Sequence, residues 1–123
     1  MQSFKDLVVW QKSRILVKEI YILIGQFPKE ERYGLVDQIK RSAVSIPSNI
    51  AEGCARDTDK EQFRFFSIAR GSCAELETQI LIAQDLGFLS PDNGEITGKI
   101  EEVGKMLSGL LRLKRSQINS PSI

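Results

Sequence analysis

The 123-residue sequence contains no histidine. That removes the commonest general base and the commonest transition-metal ligand from its chemistry. Cysteine occurs only at Cys54 and Cys73, too few and too widely spaced for a zinc site. On successive antiparallel helices joined near Asp57, Cys73 would lie about 20 Å beyond the turn. A disulfide needs Cα atoms within about 7 Å, so two free, mostly buried thiols are expected. Charge of either sign in excess is also missing. Lys and Arg (17) nearly balance Asp and Glu (16), for a net charge of +1. No whole-chain field draws in nucleic acid, so any such contact needs a local basic patch. The longest apolar run, Ile20 to Ile24, is far short of the ~20 residues of a membrane span. The opening MQSFKDLVVW lacks the basic start and apolar core of a signal peptide, and the cytoplasm is the expected location, without membrane contact. There is no GxxxxGK[ST] phosphate loop and no GxSxG elbow. No stretch keeps a two-residue period long enough to make a strand, and neither internal repeats nor low-complexity segments occur.

What is present is helical periodicity. Val9, Leu16, Ile20, Leu23 and Phe27 form one apolar stripe, widened by Trp10, Val17, Tyr21 and Ile24. The spacing predicts helix 1 over about 6–26, capped by Asp6 and stopped at Phe27-Pro28. Helix 2, over about 32–54, carries Val36, Ile39, Ala43, Ile46 and Ile50. Thr58 with Glu61 fits a capping box for helix 3, over about 59–86, with Gly87 as a left-handed cap. Its core stripe is Phe66, Ala69, Cys73, Leu76, Ile80 and Ala83. Ser90-Pro91 starts helix 4, whose Ile96, Ile100, Val103, Leu107, Leu110 and Leu111 lead to about Ser116, with a frayed tail from about 117. The expected fold class is all-α: one domain over 1–123, an antiparallel up-down-up-down four-helix bundle.

The segment KRSAVSIPSNIAEGCAR, 40–56, sets this chain apart. Pro47 interrupts a helical rhythm that keeps its phase on either side, so helix 2 is expected to be kinked near Pro47 rather than divided. Ser45, Ser48 and Asn49 are placed to satisfy carbonyls freed by the proline, and Glu52 to reach a backbone donor or Arg56. A ligand site at the break is the other reading of Pro47, Ser48, Asn49 and Glu52.

Three further constellations stand beside it. On helix 3, Ile68, Gly71 and Ile82 fall on the arc opposite the core, the expected interface of a homo-oligomer; a solvated face with stray apolar residues is the alternative. Arg56, Phe63 and Arg70, seven apart, with Lys60 and Arg64, and with Lys40 and Arg41 from helix 2, make a candidate nucleic-acid patch in which cations alternate with an aromatic. Against this, Phe63 also fits the edge of the core, and the arginines also suit pairing with Glu52 or Glu77. Glu52, Glu75, Glu101 and Glu102 are the carboxylates available to a di-iron-type centre, but such centres also need Glu-x-x-His. No catalytic residue, cofactor or metal is expected.

Four stretches carry a family resemblance: Phe4-x-Asp6-Leu7-x-Val9-Trp10-Gln11, then Phe27-Pro28-Lys29-x-Glu31-Arg32-Tyr33-Gly34-Leu35, then the run from Gln38 to Gly53, and Ile68 to Gln79. With Ser45-Ile46-Pro47-Ser48-Asn49-Ile50-Ala51-Glu52-Gly53 as the most specific of them, the chain resembles the 23S ribosomal RNA intervening-sequence protein family over nearly its full length. The resemblance implies a four-helix bundle, a ring-like homopentamer and no enzyme activity, in a family whose members are often encoded within insertions in ribosomal RNA genes. More distantly, the fold is similar to the accessory protein of diversity-generating retroelements, a basic pentamer that binds nucleic acid and a reverse transcriptase. No binding residue carries over from it, since this chain is nearly neutral and shows no match to its sequence. The expected function is thus a non-catalytic, homo-oligomeric binding or scaffolding module with RNA or DNA as partner. A purely protein-binding scaffold is the alternative, and a small-ligand binder or enzyme stands last.

Overall fold

Four helices account for most of the chain in the computed structural model, which describes residues 3–90 and 94–120. They are α1 (Val8–Ile24), α2 (Leu35–Cys54), α3 (Asp59–Asp85) and α4 (Gly94–Asn119). There is no strand among the described residues. α1 packs on α2 and α4, α2 on α3, and α3 on α4, while the backbones of α1 and α3, and of α2 and α4, stand apart as diagonal pairs. The helices therefore sit at the corners of a four-membered bundle. Across each of three seams, numbering falls on one helix as it rises on the other: Ser45 meets Ser72 and Gly53 faces Phe66; Arg70 meets Ser108 and Asp59 meets Lys114; Lys12 meets Glu102 and Glu19 meets Lys99.

The apolar stripes meet in the middle. Val9, Leu16, Ile20, Ile39, Ile46, Ile50, Phe66, Leu76, Ile80, Ile100 and Leu107 are all buried, each contributing about 1.5–3 kcal/mol on leaving water. Tyr21, expected to widen the α1 stripe, is instead 43 % exposed.

The helix ends depart from expectation in three places. Asp6 does not cap α1. It closes a short 3-10 turn, Phe4–Asp6, that Ser3 caps through a bond to the Lys5 N–H, and α1 starts after Leu7, which offers no side-chain cap. Helix 2 begins at Leu35, because Lys29–Glu31 form a separate 3-10 turn ahead of it. α4 continues to Asn119, beyond the Ser116 expected for its end. Of the expected Ser90-Pro91 cap, Pro91 lies outside the described residues, as does Pro121 of the tail. Two other ends match. Thr58 Oγ1 accepts from the Glu61 N–H at 3.2 Å, one half of the capping box. After α3, Gly87 takes φ +79°, its N–H bonds Gln84 O, and Phe88 N–H bonds Ala83 O. That is the paired bonding of a Schellman cap, and it turns Phe88 onto Phe27, with ring centroids 5.7 Å apart.

Candidate functional site

α2 remains α-helical through Pro47. Proline has no N–H for the Ala43 carbonyl, yet the polar neighbours do something other than compensate for it. Asn49 donates through Nδ2 to Ser45 O (2.8 Å) and Ser45 Oγ (2.9 Å). Ser45 Oγ lies 2.8 Å from Ser72 Oγ on α3, and Ser72 Oγ donates to Ile68 O at 3.1 Å. Each hydroxyl has one proton to give. Ser72 gives its proton to Ile68, so Ser45 must give its own to Ser72 and accept from Asn49. The result is a one-directional chain, Asn49 to Ser45 to Ser72 to Ile68, tying α2 to α3. Glu52 pairs with Arg56 at 2.7 Å. The expected carbonyl support is therefore, for Asn49, a bond to Ser45 within a link between two helices. Ser48 is exposed.

Gly53, the last residue of the family-specific run, is buried against α3. A Cβ there would stand 2.6 Å from Phe66 Cε1 and 3.2 Å from Phe65 Cβ. Only glycine lets α2 approach this closely. Sequence periodicity did not single it out, because the demand comes from the facing helix.

The six basic residues are not brought together. Lys40 lies toward the α1/α2 corner, its ammonium 5.2 Å from the Tyr21 ring, about 20 Å along α2 from the Arg56 end. Arg41 is exposed and paired with Asp37 at 3.0 Å. Arg70 turns toward α4, where its Nε bonds Ser108 Oγ at 3.0 Å and its guanidinium covers Gly104, 3.5 Å from where a Cβ would be. Only Arg56, Lys60 and Arg64 remain as a group at the α2/α3 turn. The aromatic between them is Phe65 rather than Phe63: Arg56 and Arg64 lie 4.9 and 4.6 Å from its centroid, while Phe63 receives Arg115 of α4 at 5.2 Å. Glu61 holds Arg64 at 3.1 Å, and Lys60 has no ion-pair partner among the described residues.

The apolar arc of α3 is open. Ile68 and Ile82 are each 42 % exposed, and a Cβ on Gly71 would meet nothing within 4 Å. A second row runs down α1, where Val8, Ile15 and Ile22, seven apart, are each more than half exposed.

The groups suited to chemistry are engaged in packing or face solvent. Both cysteines are free; burial raises the Cys54 pKa and pushes Cys73 up to about 11, so both stay protonated thiols at neutral pH. Glu52, Glu75, Glu101 and Glu102 are exposed instead of lining the core. Glu77, on the α3/α4 side, has a raised pKa, first from desolvation and then from the neighbouring Glu101, against the pull of Arg70. No group of three or more His, Cys, Asp or Glu among the described residues is arranged to hold a metal ion. None of the described helices is long and apolar enough to cross a membrane.

By fold, the chain is a four-helix bundle in which polar side chains join helix to helix along three seams. It belongs to the family described as 23S rRNA-intervening sequence protein, whose model matches residues 5–109. Its backbone is similar to that of a crystal structure of a protein of unknown function from the S23 ribosomal protein family of Bacteroides thetaiotaomicron. The TM-score is 0.76 at 21% identity, over 85% of this chain and 98% of that one. No curated protein matches the sequence.

Proposed function

We propose that the protein is a non-catalytic subunit that assembles with copies of itself into a closed ring and serves as a binding scaffold. Gly71 carries this reading. Glycine inside a helix costs about 1 kcal/mol relative to alanine, and at Gly71 the monomer gains nothing in return, because the space above it is empty. With Ile68 and Ile82 exposed beside it, the position suits close approach of a helix from a second copy. The Val8, Ile15 and Ile22 row lies on α1, diagonally across the bundle from α3, so the two exposed rows face different directions. A ring needs two different patches on each subunit, whereas a two-fold dimer needs one. Light scattering on the purified chain tests the assembly: a multiple of the 13.8 kDa chain mass is expected, five-fold if the family resemblance holds. Ile68→Glu with Ile82→Glu should reduce it to a helical monomer. A monomeric wild-type chain at high concentration overturns the reading.

The proposed partner of such a scaffold is RNA or DNA, bound at Arg56, Lys60 and Arg64, with two guanidinium groups against the Phe65 ring as the supporting observation. Two of the three cations carry a carboxylate partner, so binding should be weak and steeply dependent on salt. Anisotropy with a labelled single strand should show binding at about 50 mM salt that disappears in Arg56→Gln/Lys60→Gln/Arg64→Gln. Equal binding by the variant removes this reading, and a protein captured by the chain in the presence of nuclease would favour the protein-binding alternative.

A further inference from the structure

At the opposite end of α2 from that group, where α1 turns into α2, a groove of about 310 Å³ opens between Tyr21, Pro28 and Val36. Three charged side chains line it, Lys29, Arg32 and Lys40, and all three are cations. None has an ion-pair partner among the described residues. The nearby carboxylates stand elsewhere: Glu30 and Glu31 belong to the intervening turn without lining the groove, and Asp37 is held by Arg41. The contrast with the α1/α4 groove is direct. There, about 180 Å³ is bordered by Lys12 and Lys99 together with Glu19 and Glu102, and each cation is neutralised by a carboxylate across the seam. A concave surface lined by three unneutralised cations and no carboxylate carries positive potential and favours an anion of high charge density. Arg32 supplies a planar fork of donors, Lys29 and Lys40 supply point charges, and the exposed flank of Tyr21 supplies an apolar wall. The volume lies at the lower end of the roughly 300–1,000 Å³ found for small-ligand clefts, the size of one small molecule rather than a duplex.

We propose that this corner is a binding site for a phosphate monoester of about nucleotide size. The site is separate from the Arg56, Lys60 and Arg64 group and does not depend on the nucleic-acid reading. Calorimetric titration of the full chain at low salt, with a nucleoside monophosphate and with inorganic phosphate, tests it. Binding of a phosphate-bearing probe is expected, weakening as salt rises. It should be reduced about tenfold or more in Arg32→Gln/Lys40→Gln and unchanged in Lys12→Gln, at the neutralised α1/α4 groove. Should the corner variant lose its helical fold, the Tyr21 ring resonances of the wild-type chain should still shift on adding the monophosphate. Absence of both heat and shift overturns the site. So does binding that survives in a folded corner variant, or equal binding of the unphosphorylated nucleoside.

Discussion

Along the seam of α2 and α3, Gly53 admits the Phe66 ring, and a chain of hydrogen bonds crosses from Asn49 through Ser45 and Ser72 to Ile68. Along the seam of α1 and α4, Lys12 meets Glu102 and Glu19 meets Lys99, all with substantial exposure, and grooves open between the helices. α2/α3 is the most extensive helix contact of the bundle and α1/α4 the least. The first seam is set by shape and by directional, partly buried bonds, where an ill-fitting atom or an orphaned hydroxyl is costly. The second is bridged by charges in solvent, where attraction is screened and side-chain order offsets much of the gain. The same chain thus has one seam that specifies its fold and one that merely closes it.

The largest way to break this contrast is Gly53→Ala. Overpacking typically costs about 1–3 kcal/mol, against the roughly 1 kcal/mol that alanine gains in helix propensity. With Phe66 fixed in the core, a net loss of about 1–2 kcal/mol is expected from urea unfolding, partly restored by adding Phe66→Leu. An unchanged midpoint would show that the α2/α3 seam yields as easily as the other. Next, Ser45→Ala and Ser72→Ala should each cost about 1 kcal/mol. Because they share one bond, the double variant should cost less than their sum; strict additivity would remove the directional chain. The α3/α4 seam lies between the extremes, through Glu77. A carboxyl whose folded-state pKa is raised binds its proton more tightly when folded than when unfolded. Stability therefore falls as pH rises from the usual carboxylate range through that raised value. Glu77→Gln should melt higher than wild type at neutral pH, with the difference vanishing below the carboxylate range; an acid-side gain instead would reverse the assignment. The smallest effect is expected at α1/α4, where Lys12→Gln should change stability by no more than about 0.5 kcal/mol, and still less at high salt. A larger loss would mean that this seam, too, is specific.

The sequence pattern captured what belongs to a single helix. All six α3 core positions, Phe66 through Ala83, are buried, as are Val36, Ile39, Ala43, Ile46 and Ile50 on α2. The Glu52–Arg56 pair was also legible, being four residues apart on one helix face. What escaped were relations between helices. Spacing put Arg70 on a flank with Arg56, but what decides its fate is Ser108 and the bare surface of Gly104 on α4. Phe63 and Phe65 flank Arg64 in sequence, and the packing of the helices gives one to Arg115 of α4 and the other to Arg56 and Arg64. Periodicity names the residues that share a face and is silent about what stands opposite. At the start of α1, the Ser3-capped turn pre-empted Asp6, a choice between two polar residues three apart that spacing does not resolve.

Gly53 has a consequence for alignment. Ile39, Ile46 and Gly53 are seven apart on α2, and Phe66, Cys73 and Ile80 are seven apart on α3. Both helices thus repeat their apolar steps and tolerate sliding past one another by two turns, about 10 Å, with oily surface still against oily surface. Such a slide would bring Ile46 to the place where Gly53 now admits Phe66, and would part Ser45 from Ser72. The glycine and the serine pair therefore act as a vernier mark on two otherwise repetitive rulers, leaving a single setting at which they can close.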